Sequence, residues 1–225
     1  MRPASLILAL GLLCPLGAQA ALLSPAEIDA SRFLPPPPKP GSVDETAEFL
    51  ELRAIAARST PDEVAAAAQD AKDETPDIFN AAIGFDVAGK PATFKLLTMV
   101  VEEEDSDTKP AKAFFHRLRP YAADPSIRTC EPVKPGKAAN SYPSGHSSLA
   151  FSMGVVLASL VPEKSQAILA RASDYSEHRL VCGVHYRSDI VAGQQFGTIL
   201  ALRLMQNPAF RAQMDLAKAE LGGSP

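Results

Sequence analysis

The chain has 225 residues, 46% of them hydrophobic, with 22 basic and 26 acidic residues and a formal net charge of −4. That length fits one domain with a sizeable core. The acidic balance argues against a nucleic-acid binder, which carries a concentrated basic face. Nothing beyond the first residues approaches the roughly 20 uncharged apolar residues of a membrane helix, so no stable membrane insertion is expected.

Residues 1–20 read as a signal peptide: Arg2 gives a positive start, Leu6 to Leu13 an apolar centre, and Ala18-Gln19-Ala20 a small-x-small cleavage site. Cleavage near Ala20 would deliver the protein to the periplasm or the medium. Cys14 offers a lipoprotein reading, but the bulky Leu12 and Leu13 before it suit that processing poorly. Export removes Arg2 and Cys14 and leaves 21 basic residues with two cysteines, Cys130 and Cys182. In an oxidising compartment these form one disulfide or stay as separate buried thiols.

Residues 21–42 form a proline-rich arm, in which Phe33 and Leu34 precede four prolines, Lys39, Pro40 and Gly41. Such a run supports neither helix nor central strand. Its apolar residues can pack on the body or on a neighbouring subunit, or the arm can be a tether; a homo-oligomer is expected.

Residues 43–225 form the body. A first helix starts at Val43 with Ser42 and Asp44 as caps, and Ala47, Leu50, Leu52, Ile55 and Ala56 at helical spacing. Pro61 and Asp62 start a second, running to Lys72; Pro76 opens another; Pro91 opens one from Ala92 to about Glu103. The acidic run Glu102 to Asp107 is then a solvated loop or helix end. Pro110 begins a further helix that stops near Pro120. On it, Lys112 and Arg119 are seven residues apart, close to two turns, so both can point at one spot. Two converging cations call for an anion between them, and a guanidinium fork suits phosphate oxygens. Arg117 would otherwise join them on a solvated basic face.

Ser141-Tyr142-Pro143-Ser144-Gly145-His146 stands before an apolar, charge-free helix from about Ser147 to Leu160. Gly145 admits close backbone approach, Ser144 offers a hydroxyl, and unpaired amides of the helix start point outward, a phosphate cradle with His146 at its rim. Pro162 starts the next helix, through Ile168 to about His178. Arg179-Leu-Val-Cys-Gly-Val-His185-Tyr-Arg-Ser-Asp189 follows. Asp189 lies four residues after His185, so its carboxylate can hold one ring nitrogen and leave the other free to attack. A helix from Asp189 to Met205, capped by Ser188, and a last one from Pro208 to Leu221, closed by Gly222-Gly223, complete the chain. Strand signals are nearly absent, and the fold class is all-α.

Together the segments read K-x6-R-P, P-S-G-H and x-R-x5-H-x3-D, matching ten of eleven fixed positions of a family signature, with His178 where that signature has Ser. The chain resembles the superfamily of type 2 phosphatidic acid phosphatases and vanadium haloperoxidases, over about Ala47 to Phe210, and within it the bacterial class A non-specific acid phosphatases. The resemblance implies a compact helical bundle, an acid phosphatase domain over 43–225, and phosphate monoesters as substrates. It implies that Lys112, Arg119 and Arg179 hold phosphoryl oxygens with Ser144 and Gly145, that His185 attacks phosphorus to form a phosphohistidine, that Asp189 orients it, and that His146 protonates the leaving alcohol. No metal or other cofactor is implied, and phosphotransfer to another alcohol would use the same intermediate. His116 matches no family role and reads as a helix-surface residue. An acidic working pH follows, because His146 must be protonated while His185 is free. A vanadium-dependent haloperoxidase uses nearly the same residues but a much longer chain; a non-catalytic phosphate-binding protein would need the cradle without its two imidazoles.

Overall fold

A computed structural model describes residues 21–133 and 135–222. The signal peptide and Gly223 lie outside the described residues. Among these, no strand occurs, and the helices are α1 (Val43–Arg58), α2 (Pro61–Asp70), α3 (Asn80–Ile83), α4 (Pro91–Phe115), α5 (Pro120–Ala123), α6 (Gly145–Leu160), α7 (Ser165–Val181), α8 (Arg187–Leu204) and α9 (Pro208–Glu220).

Local chemistry fixes several starts. Ser42 accepts from the amide of Glu45, and Thr60 and Glu63 form a reciprocal capping box, each cap worth about 1 kcal/mol. Charge-free α6 is the axis of the fold, packed against α4, α7 and α8. It meets α8 backbone to backbone. A Cβ on Gly193 would stand 2.5 Å from the carbonyl oxygen of Ser144, and one on Gly197 would collide with that of Ser148. These two glycines, one turn apart, let α8 bring its first residues beside the start of α6.

The arm packs on the body of its own chain. Leu23, Ile28 and Leu34 are buried in the main core, Phe33 stacks on Phe196 at 5.9 Å, and the carboxylate of Glu103 accepts the amides of Leu22 and Leu23 at 2.9 and 2.7 Å. Tyr142 donates its hydroxyl to the carbonyl of Pro35.

Several expected boundaries are corrected. Pro110 does not begin a helix but lies inside α4. A proline there costs about 3 kcal/mol, yet it sits on the exposed face while Glu103, Glu104, Thr108 and Ala111 anchor both flanks in the interior. The acidic run is therefore mid-helix, with Glu103 and Glu104 buried, not a solvated end. Pro76 opens only a single 3-10 turn before the short α3. The axial helix starts at Gly145 with Ser144 as its cap, and α8 is capped at Tyr186, ahead of Ser188.

Candidate active site

Lys112 and Arg119 do converge, by a different route than two turns of one helix. Helix α4 ends at Phe115, His116 turns the chain at φ 46°, and Arg119 is the residue before α5. His116 is thus an exposed C-cap instead of a helix-surface residue. Between these points the backbone is extended, pairing the amide of Arg119 with the carbonyl of Ala138 at 2.7 Å and that of Ser141 with Arg117 at 3.1 Å. Extended chain alternates sides, so Arg117 and Arg119 turn inward and Leu118 outward.

A cavity of about 600 Å³ is lined by Lys112, Arg119, Gly145, His146, Arg179 and His185. Six of the eight sequence-derived candidates thus share one wall system. Ser144 and Asp189 stand behind it, both fully buried. The hydroxyl of Ser144 accepts from the hydroxyl of Ser147 at 3.1 Å and from its amide at 3.4 Å, so it serves the helix start. The ammonium of Lys112 donates to the carbonyls of Pro143 (2.6 Å) and Asn140 (3.2 Å), against the backbone of Gly145. Burial and the neighbouring Arg119 lower its proton affinity. Behind it Glu104, bonded by Thr108, is pushed the other way by burial, opposed by Thr108 and Lys112.

The cavity is bordered by buried guanidinium nitrogens. Nε of Arg119 and both Nε and Nη1 of Arg179 are buried with no hydrogen-bond partner among the described residues. A buried donor left unpaired costs on the order of 1–3 kcal/mol, more when charged, and three such guanidinium nitrogens around one cavity fit an oxyanion. The remaining Nη2 of Arg179 donates to Glu131 at 2.7 Å.

His185 is buried, its Nδ1 3.3 Å from Oδ2 of Asp189. With that side engaged, Nε2 is the free nitrogen. The Asp189 carboxylate also accepts from the hydroxyl of Ser141 (2.5 Å), the amide of Tyr186 (2.8 Å) and Nη1 of Arg117 (2.6 Å). Nε2 of His146 faces the carbonyl of Ala71 at 3.4 Å and Oε1 of Glu74 at 3.4 Å; a carbonyl only accepts, so the hydrogen sits on Nε2. The ring stacks on Tyr175 at 5.5 Å. Burial, then nearby positive charge, pushes both imidazoles well below the ordinary value: Arg179, and His185 when it is protonated, act on His146, and Arg119, Lys112 and Arg179 on His185.

His178 turns away from this cavity. Its Nδ1 meets Asp70 at 2.6 Å, and Arg171 grips the same carboxylate through both terminal nitrogens. Asp70 precedes Ala71, so this cluster ties the Ala71 carbonyl that meets His146 to α7. Cys130 and Cys182 are joined as a disulfide, which holds the Glu131 loop against the end of α7. Among the described residues, no group of three or more His, Cys, Asp or Glu side chains is placed to hold a metal ion, and no helix is long and apolar enough to cross a membrane.

Sequence reasoning missed Arg117, Glu48, Glu74 and Glu131. Glu131 had a signal in its position beside Cys130; Arg117 had one in the alternation above, visible only once the helix is known to end at Phe115.

Comparisons with known proteins bear on the same segments. The profile of the PAP2 superfamily matches residues 92–212. The chain is 31% identical over 201 residues to a non-specific acid phosphatase of Providencia stuartii, spanning 86% of this chain and 81% of that one. It is 29% identical over 209 residues to a non-specific acid phosphatase of Salmonella typhi, spanning 88% and 82%. The fold is similar to that of a transmembrane PAP2 type phosphatidylglycerolphosphate phosphatase from Bacillus subtilis, with a TM-score of 0.55 at 17% identity over 73% of this chain and 85% of that one.

Proposed function

Because the chain belongs to the PAP2 superfamily, as an acid phosphatase of that family, we propose that it hydrolyses phosphate monoesters through a phosphohistidine on His185 without a metal ion. The observation that carries the reading is the set of unpartnered guanidinium nitrogens of Arg119 and Arg179 in a cavity shared by His146 and His185.

In this reading the phosphoryl oxygens take those donors, the ammonium of Lys112 and the amides at the start of α6, where Gly145 and His146 are the first residues. Phosphoryl transfer needs alignment and charge stabilisation more than covalent help; three cations and a helix start supply both. Nε2 of His185 attacks phosphorus while Asp189 holds Nδ1. His146, held at Nε2 by Ala71, passes the proton on Nδ1 to the leaving alcohol and then draws a proton from the water that opens the phosphohistidine. A second alcohol in place of that water gives phosphotransfer.

Working pH follows from the same charges. Burial and the surrounding cations disfavour the charged form of both imidazoles. A bound phosphate dianion offsets Arg119 and Arg179, and so favours the protonated donor that the first step needs. Export to an oxidising compartment agrees with the Cys130–Cys182 disulfide.

The test is turnover of p-nitrophenyl phosphate at mildly acid pH with chelator present. Activity should persist in chelator, an acid-labile phosphoenzyme should be trapped by rapid quench, and His185→Ala should lower kcat by at least about a thousandfold with sulfate still bound. Loss of turnover in chelator, or a His185→Ala enzyme that still turns over, defeats the reading.

A further inference from the structure

One buried cation has no part in the reaction as drawn above. Arg117 is 7% exposed and does not line the catalytic cavity. Its Nη2 reaches Glu48 on α1 at 2.5 Å and its Nη1 reaches Oδ1 of Asp189 at 2.6 Å. Its Nη1 also donates to the hydroxyl of Ser188, and the guanidinium lies 3.9 Å over the ring of Tyr186. Glu48 closes the far end by accepting the amide of Ser188 at 2.7 Å. A row of alternating charge thus runs from Glu48 through Arg117 to Asp189, which faces His185.

The row matters because an aspartate beside an imidazole ordinarily favours the imidazolium. A nucleophilic histidine that must be free of protons in acid is poorly served by an undivided aspartate. Here Asp189 meets Arg117 at 2.6 Å and His185 only at 3.3 Å, so the shorter bond goes to the arginine.

We propose that Arg117 is a positioning residue for the reaction, holding Asp189 in place and offsetting its charge so that Asp189 orients His185 without drawing a proton onto it. The inference rests on His185 as the nucleophile. The other groups facing His185 are Lys112 from α4, Arg119, Arg179 from α7 and His146 from α6, with the backbone of Ser141. The side chains among these are cationic or can become so, while the Ser141 backbone favours the charged ring and the carboxylates of Glu104 and Glu131 line the same cavity. Asp189 is the carboxylate in direct contact with His185, and Arg117 is the group that counters it.

The test follows the pH at which His185 gains its proton. With four histidines in the chain, imidazole nitrogen NMR of the resting full chain can be assigned by loss of one signal in His185→Gln. In Arg117→Met the His185 inflection is expected to rise by about one pH unit or more, and the acid limb of kcat/KM for p-nitrophenyl phosphate to move with it. Arg117→Lys keeps the charge and should return the inflection close to wild type, even where kcat stays reduced by a shifted Asp189. Glu48→Gln, which leaves Arg117 to Asp189 alone, should move the inflection down and decides the matter if Arg117→Met does not fold.

A purely structural Arg117 would lower Tm and kcat with the His185 inflection fixed. An inflection unmoved in both variants, or absent from every protein down to acid unfolding, overturns the proposal. The NMR readout needs no turnover. A wild-type protein inactive on phosphate esters therefore sinks the phosphatase reading without deciding this one.

Discussion

The proton on His146 is the residue-scale question, because the resting site disfavours the charge its role requires. Burial comes first among the causes, then the Arg179 guanidinium and the competing charge of the neighbouring His185 whenever that ring is protonated. A tetrahedral dianion in the cavity reverses the second cause, so binding must draw protons in. Sulfate tests this cleanly, since it keeps both negative charges throughout the range, unlike phosphate. Its affinity is expected to tighten severalfold between about pH 8 and about pH 5. Calorimetry in buffers of different ionisation enthalpy should register proton uptake. Affinity that is flat with pH, without uptake, would mean that the anion does not sit beside the imidazoles. Lys112 contributes in the same direction, because burial and Arg119 lower its proton affinity and an anion restores it.

At the scale of elements, the site depends on how closely α6 and α8 approach, since α6 begins with Gly145 and His146 while α8 carries Asp189. Gly197→Ala puts a methyl group into the backbone of Ser148. Overpacking of this kind costs about 1–3 kcal/mol, read by urea denaturation, and kcat should fall further than that loss explains because Asp189 and His185 move away from the cradle. A variant with unchanged kcat would show that the spacing is not critical. The disulfide is a second such device: replacing Cys130 and Cys182 by alanine should cost about 4 kcal/mol for a closed loop of 52 residues. Much of this was legible in the sequence. Helix starts carry Ser, Thr and Pro at fixed offsets, and the three basic and imidazole segments have no use in an ordinary packed bundle. What was not legible has specific causes. His116 takes a left-handed conformation without being glycine, so nothing marked the end of α4. Pro110 is a helix breaker that its anchored flanks overrule. Glu48, Glu104 and Arg117 are charges turned inward, which a pattern that places charge outside assigns to solvent.

Across the whole molecule, the buried titratable groups around the cavity form a proton inventory that sets stability against pH. Two imidazoles, His146 and His185, resist protonation where the unfolded chain takes protons up below the ordinary value of about 6.5. Folded protein then binds fewer protons, and stability falls as pH falls. Two carboxyls on α4 act oppositely. Burial raises Glu104, and burial with Glu103 raises Asp107 to about 7, so the folded protein keeps protons that the unfolded chain releases above 4.5 and 3.8. Their contribution is present in acid and is lost as pH rises toward 7. From about pH 4.5 to about pH 6.5 the two pairs nearly cancel, and Tm should be flat. Below about pH 4 the unfolded carboxyls are protonated too, the imidazole penalty stands alone, and Tm should drop. Asp70 adds to the drop only near the bottom of the range: burial raises it, but His178 and Arg171 outweigh that and hold it at about 2, so its stabilisation is lost as pH falls through 2. Asp107→Asn lies away from the cradle and removes one side of the balance; its Tm should tilt downward on acidification through the former plateau. Saturating sulfate, which lets the folded state take up a proton on His146, should restore most of that loss and raise Tm more in acid than at neutral pH. Should Asp107→Asn keep a level plateau, the carboxyl is not holding a proton and the two pairs do not cancel.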